Sequence, residues 1–210
     1  MLRSFLSRLV AWALANPLVF ELQQRLNAYQ DVKREFADYL NIQGKSILDL
    51  GCSTGNCAAA ILDMKANDYT GIDFHPGYAE EAQRRHPDGR FLAMDGRKLD
   101  FPDSSFDLVT IISVLHHMPD DVVAGCAAEV VRVLKPDGHC LIVEPVFTPG
   151  WPVSNFLLSL DRGRFIRSAE KYRAFLEKFG FERERFCVFG PHRFISFVLT
   201  KPAASHADRP

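Results

Sequence analysis

The amino-acid sequence predicts an α/β protein: a mostly parallel sheet with helices on both faces. Three observations carry that expectation. From Lys45 to Glu144, short apolar runs alternate with helical stretches, the pattern of strands joined by crossover helices. The first run, Ser46 to Leu50, opens into a turn of small residues before a helix. Near the end, two apolar runs flank Gly190-Pro191 closely enough to form an antiparallel pair.

The elements follow in chain order. Leu2, Phe5, Leu6, Leu9 and Trp12 recur at helical spacing and mark one apolar face. Ala13 to Ala15 resembles a signal-cleavage site, but Arg8 confines the apolar run to Leu9–Ala15, far below the roughly 20 residues of a spanning helix. Pro17 breaks the helix, and a second pattern runs through Leu18, Leu22, Leu26, Tyr29, Phe36 and Leu40 until Gly44. The expected organisation is one domain: a helical lid over residues 1–43, a core over 44–200 and a disordered tail over 201–210. Within the core, strands are expected at Ser46–Leu50, Tyr69–Asp73, Phe91–Asp95, Phe106–Ser113 and His139–Glu144. Helices are expected at Gly55–Lys65, Pro76–His86 and Asp120–Leu134, the last closed by Lys135, Pro136 and Gly138. A helix at Ser168–Phe179, stopped by Gly180, precedes strands at Arg185–Phe189 and Phe194–Thr200.

Composition narrows the function. The chain has 210 residues, 47% hydrophobic and 24% charged, an ordinary globular balance. Its 25 basic and 26 acidic side chains leave a net charge of −1, which does not suit a phosphate-neutralising nucleic-acid binder. The five cysteines are odd in number and form no C-x-x-C pair, so the spacing predicts neither a disulfide framework nor a zinc site and favours a reducing, cytoplasmic setting.

The segment richest in chemistry is ILDLGCSTGN, residues 47–56. Gly51 and Gly55 permit a tight turn and close approach of backbone to a ligand. The helix start beyond offers amide N–H groups and a positive dipole end to a carboxylate or phosphate. Asp73 closes the second strand about 20 residues on, where an acid reaches both hydroxyls of an adenosine ribose. Asp95 closes the third, within reach of an adenine amino group. Either acid alone also serves as a helix cap. The turn lacks the three glycines of the dinucleotide fingerprint, having Ser53 at the close-approach position, so an NAD-dependent oxidoreductase is the weaker alternative.

These runs, with YTGIDFHP, FLAMDGRKLDFPDSSFDLVTIISVLHHMPD and VLKPDGHCLIVEP in order, resemble a class I S-adenosylmethionine-dependent methyltransferase of the small-molecule, quinone-biosynthesis-like branch. The resemblance covers Lys45 to Pro145. It implies a three-layer Rossmann-like sandwich, its seven strands ordered 3-2-1-4-5-7-6 with one antiparallel. It further implies S-adenosylmethionine held by Gly51, Cys52, Ser53 and Gly55 around the methionyl part, with Asp49 below. Asp73 would take the ribose hydroxyls and Phe74 the adenine face, Asp95 and Gly96 the adenine edge, and Ser113 would lie beneath the sulfonium. Many members of the family have glycine where this chain has Ser53.

Methyl transfer from a sulfonium needs alignment and water exclusion, and a general base only when the acceptor loses a proton. His116, His117 and Glu144, at the ends of the fourth and fifth strands, are the candidate bases. The paired histidines favour O-methylation over carbon or nitrogen transfer. The acceptor pocket is expected from the lid, including Tyr29, and from the insert after Pro145 with Trp151, Phe156 and the basic run Arg162, Arg164 and Arg167. That composition suits a hydrophobic or aromatic acceptor, and the amino-terminal helix, flanked by Arg3 and Arg8, offers a peripheral membrane contact. A cofactor-binding scaffold or activator subunit without turnover is the alternative of a different class.

Overall fold

The computed structural model describes residues 29–161, 163–189 and 192–202. The expected helix of residues 2–16, Arg162 and the tail from Ala203 lie outside the described residues. The elements are α1 (Tyr29–Glu35), α2 (Ala37–Leu40), β1 (Ser46–Leu50), α3 (Asn56–Ile61), β2 (Asp68–Asp73), α4 (Pro76–Arg85) and β3 (Arg90–Ala93). They continue as β4 (Phe106–Ile112), α5 (Asp120–Val133), β5 (Leu134–Pro145), α6 (Pro152–Leu158), α7 (Ala169–Leu176), β6 (Gly180–Phe189) and β7 (His192–Thr200).

The seven strands form one sheet in the order β3-β2-β1-β4-β5-β7-β6. The β1 strand pairs in parallel with both β2 and β4, β2 with β3, and β4 with β5. Only β7 runs against its neighbours. Because a strand's side chains alternate between faces, successive apolar residues feed two cores. Leu48, Val109, Ile142 and Phe197 pack on one side against α5 and α7. Ile47, Leu108, Leu141 and Val198 pack on the other against α1, α3 and α4. On α5, Val123, Cys126, Ala127, Val130 and Val133 form the buried stripe of an amphipathic helix.

Three departures from the sequence reading have local causes. The second helical pattern breaks at Phe36, whose ring is fully buried while its backbone leaves the helix. Arg183 caps that break: Nη2 donates to the Glu35 carbonyl at 2.6 Å, and the guanidinium lies 5.6 Å from the Phe36 ring. Lys135–Gly138 belongs to β5 rather than to a helix-closing loop, because buried Leu134 pairs with Phe106 ahead of a register irregularity. Gly180 begins β6 rather than merely stopping a helix, and β6 is an edge strand whose Glu182, Arg183, Glu184 and Arg185 discourage further pairing. Among the described residues no helix is long and apolar enough to cross a membrane.

Candidate active site

The parallel strands all end at one edge of the sheet, and the β1–α3 turn is folded there by hydrogen bonds to β2. The amides of Gly51 and Cys52 both donate to the Ile72 carbonyl, at 2.8 and 2.9 Å. Gly51 has φ of 79°, and a Cβ there would meet Val114 side-chain carbons at 2.6 Å, so both conformation and space demand glycine. Ser53 is left-handed as well, φ 49°, and aims its amide at Asp73 Oδ2, 2.9 Å away. The amide of His75 donates to Oδ1 at 2.8 Å. A carboxylate oxygen can accept two hydrogen bonds, so half-buried Asp73 is fixed in place with acceptor capacity left on both oxygens. The helix behind this turn, α3, has only six residues, so the turn's own amides outweigh the expected helix dipole.

Beneath the turn, Asp49 is buried and accepts from Thr110 Oγ1 at 2.7 Å and Tyr69 Oη at 2.8 Å. Burial raises its pKa, although both hydroxyls pull the other way. Asp95 lies two residues beyond the end of β3. Arg97 grips both of its oxygens, with Nη2 2.6 Å from Oδ2, and this hydrogen bonding holds its carboxyl below the ordinary range. Ser113, just past β4, is left-handed with φ of 58°. The buried Cys52 thiol is pushed upward by burial, with the charges of Asp49 and Asp73 adding, and stays protonated.

One cavity of about 750 Å³ gathers most of the expected residues. Its wall includes Asp49, Gly51, Cys52, Ser53, Asp73, Phe74, Asp95, Gly96 and Ser113 from the cofactor set. Tyr29 from α1 and His117 also line it. Phe74 is 76% exposed, an aromatic ring offered to the cleft instead of to the core. Gly55 does not line the cavity; its left-handed backbone starts α3, and a Cβ there would meet His86 at 2.8 Å.

The candidate bases divide. His116 and Glu144 are buried behind the wall, at 4% and 0% exposure. Glu144 Oε1 accepts the amides of Val114 and Leu115 at 2.8 and 2.7 Å, and Oε2 accepts the His116 amide at 3.2 Å. His116 Nδ1 lies 2.7 Å from the same Oε2. Burial lowers the His116 pKa, but the hydrogen bond and charge of Glu144, with Asp161 adding, outweigh it and the net shift is upward. The pair therefore braces the turn of Leu115–His117, and only His117 faces the cleft.

The expected acceptor residues scatter. Trp151 caps the start of α6 and stacks with Arg193, 5.0 Å from its ring, outside the cavity wall. Arg164 is exposed and also outside it. Arg167 is no substrate clamp: it is buried and donates to the carbonyls of Leu115, Phe165 and Met118 and to Asp120. Phe156 is 58% exposed on α6, away from the wall. The cavity's apolar side comes instead from Phe189 and Phe194, with ring centroids 5.0 Å apart, and from Met118 and Val122. A signal for the two phenylalanines existed. Since β6 runs parallel to β5, the β6–β7 hairpin must return to the ligand edge, and both rings flank it.

Residues 47–138 match the family described as a methyltransferase domain. A demethylmenaquinone methyltransferase from Beutenbergia cavernae is 40% identical over 108 residues, 51% of this chain and 43% of that protein. A phthiotriol/phenolphthiotriol dimycocerosates methyltransferase from Mycobacterium leprae is 35% identical over 115 residues, 53% of this chain and 42% of that protein. The chain thus spans less than half the length of either relative. Among solved structures, the PH0226 protein from Pyrococcus horikoshii superposes with a TM-score of 0.69 at 19% identity, covering 88% of this chain and 92% of that one. The geranyl diphosphate C-methyltransferase of Streptomyces coelicolor, solved with S-adenosyl-L-homocysteine, gives 0.67 at 12% identity over 82% and 80%. The strand order and the matched segment agree: residues 47–138 are similar to a methyltransferase domain, and the sheet has the order that the resemblance to class I S-adenosylmethionine-dependent methyltransferases implies.

Proposed function

We propose that the chain transfers a methyl group from S-adenosylmethionine to a small hydrophobic or aromatic acceptor, with oxygen as the receiving atom. The observation that carries this reading is the single cavity in which the Asp73 turn and an aromatic wall face the same space. Its volume of about 750 Å³ falls within the range of roughly 300–1,000 Å³ found for small-ligand pockets. The names of the quinone and lipid methyltransferases among its relatives support a lipophilic acceptor.

The residues fit the cofactor. Asp73 has an acceptor position left on each oxygen for a diol, and Phe74 presents an uncovered ring to a planar base. Gly51, Cys52 and Ser53 would wrap the methionyl part, with Asp49 supporting the turn, Gly96 beside the base and Ser113 under the sulfur. Asp95, already neutralised by Arg97, would accept from the base edge through its remaining lone pairs. When bound, the cofactor supplies an electrophilic methyl group on a leaving group that departs neutral. What the protein adds is alignment and exclusion of water, through Tyr29, Phe189 and Phe194. His117, at the wall, is positioned to take the proton of a hydroxyl acceptor.

The test is a methyl-transfer assay with lipophilic hydroquinones and phenols, reading S-adenosylhomocysteine release and the methylated product. Acceptor-dependent release with an O-methyl product is expected. A C-methyl product would overturn the oxygen assignment, and saturable cofactor binding without release under any acceptor would favour a scaffold role. Calorimetry with NAD is expected to show no binding.

A further inference from the structure

We propose that His116, His117 and Asp161 form a site for one first-row divalent metal ion of borderline softness, with zinc(II) as the reference ion, at the edge of the cavity. Each offers one ligand atom, and the three atoms lie within 4.8 Å of one another. His116 Nε2 and Asp161 Oδ1 are 3.7 Å apart. Two ligand atoms bound at about 2.0–2.2 Å to a tetrahedral ion stand roughly 3.3–3.6 Å from each other, so the His116–Asp161 pair is within a few tenths of an ångström of that span and the His117 atom moves by at most about 1.5 Å to join it.

The surroundings are those of a metal-binding histidine. Glu144 is an acceptor whose oxygens already take three backbone amides, so the proton between it and His116 belongs on Nδ1. That leaves Nε2, 3.7 Å from Asp161 Oδ1, as the nitrogen that would give up its proton to a metal ion, the carboxylate–histidine–metal arrangement. The turn bearing both histidines is held rigid from behind. Arg167 donates to the Leu115 and Met118 carbonyls with its charge spent on Asp120, and the Phe165 amide donates to the His116 carbonyl at 3.0 Å. Asp161 is held by the Gly163 amide at 2.6 Å on Oδ1. Gly163 lies so close that a Cβ on it would stand 2.1 Å from His116 Cδ2; only glycine lets this loop rest against the ring.

The donor set selects the ion. Two imidazoles and one carboxylate suit zinc, cobalt or iron(II), whereas magnesium and calcium prefer all-oxygen shells. Three protein ligands leave coordination positions open, and because His117 lines the cavity an open position faces it, filled by water or by an oxygen of the acceptor; His117 serves as a proton acceptor only in the metal-free chain and as a ligand in the loaded one. Sequence spacing did not announce the site, since Asp161 reaches the histidine pair through the loop after α6.

The experiment titrates chelator-stripped full-length chain with cobalt(II), followed by visible absorption and calorimetry, and repeats it with zinc(II) in competition. One ion per chain is expected, with ligand-field bands and without the near-ultraviolet thiolate bands that cysteine coordination gives. Asp161→Ala, at a partly exposed position, should weaken binding at least tenfold while S-adenosylhomocysteine affinity and the melting temperature hold. Gly163→Ala should weaken it through loop displacement, with all three ligands intact. Loss of saturable cobalt binding in the wild type, thiolate bands, a preference for magnesium, or an Asp161→Ala affinity equal to wild type would each overturn the site. None of these readouts depends on methyl transfer, so failure here is separable from failure of the proposed activity.

Discussion

Asp73 and Glu144 occupy equivalent addresses, the carboxyl ends of β2 and of β5 at the same sheet edge, and do opposite work. Asp73 is half-buried, takes one backbone amide on each oxygen and faces the cavity. Glu144 is wholly buried, takes three backbone amides plus an imidazole, and does not line that cavity. Each is served by a left-handed serine: Ser53 gives its own amide to Asp73, and Ser113 turns the chain so that the next three amides converge on Glu144. A carboxylate at a strand end is therefore a binding group when its donors leave lone pairs over, and a brace when they do not. Spacing along the chain places both and distinguishes neither.

The largest expected effect comes from breaking the brace. Glu144→Gln puts an amide nitrogen against the His116 amide and ring, replacing an acceptor with a donor. Removing one partner from a buried ion pair costs about 3–5 kcal/mol, and urea denaturation should register a loss of that size. A loss below about 1 kcal/mol would mean the three amides find other acceptors and the contrast with Asp73 collapses.

Asp73→Ala is the converse. One charge-assisted hydrogen bond is worth roughly 1.5–3 kcal/mol, so losing the pair to a diol should lower S-adenosylhomocysteine affinity by at least about ten- to a hundredfold in calorimetry. Of the two amides it releases, Ser53 borders the cavity and His75 is exposed, so both can bond water and stability should move by less than about 1 kcal/mol. An Asp73→Ala chain that binds as tightly as wild type would remove Asp73 from the site altogether.

How much of this was legible before the structure depends on whether the cause is local. β1 reads directly as Ser46–Leu50, because its apolar run is bounded by Lys45 and a glycine turn. Asp73 reads because the turn and the second strand lie in fixed chain order. Glu144 read as a candidate base, since nothing in HHMPD or VEP reveals that the Val114–His116 amides turn inward. That inward turn depends on a left-handed serine, a residue type that gives no warning of φ near 58°. Arg167 read as part of the acceptor pocket for the same reason: its carbonyl partners belong to a segment distant in sequence. The break at Phe36 depends on Arg183, on a strand near the other end of the chain.

Phe74 sharpens the comparison on the binding side. Its ring is 76% exposed, so Phe74→Ala removes little packing and should leave the denaturation midpoint unchanged. A stacked base loses about 0.5–1.5 kcal/mol, hence a two- to twelvefold weaker S-adenosylhomocysteine complex. Unaltered affinity would place the adenine elsewhere along the wall.

The smallest effects separate conformation from chemistry at the two serines. A non-glycine residue in the left-handed region costs about 1–2 kcal/mol, and glycine relieves it at an entropic cost of roughly 0.5–1 kcal/mol. Ser53→Gly should therefore stabilise the chain by several tenths of a kcal/mol, and because the amide to Asp73 stays, cofactor affinity should hold. Ser113→Gly should gain a similar amount, since the convergence on Glu144 also depends on backbone alone. If Ser53→Gly instead weakens S-adenosylhomocysteine binding, its hydroxyl contacts the ligand, and the serine is there for recognition despite its strain.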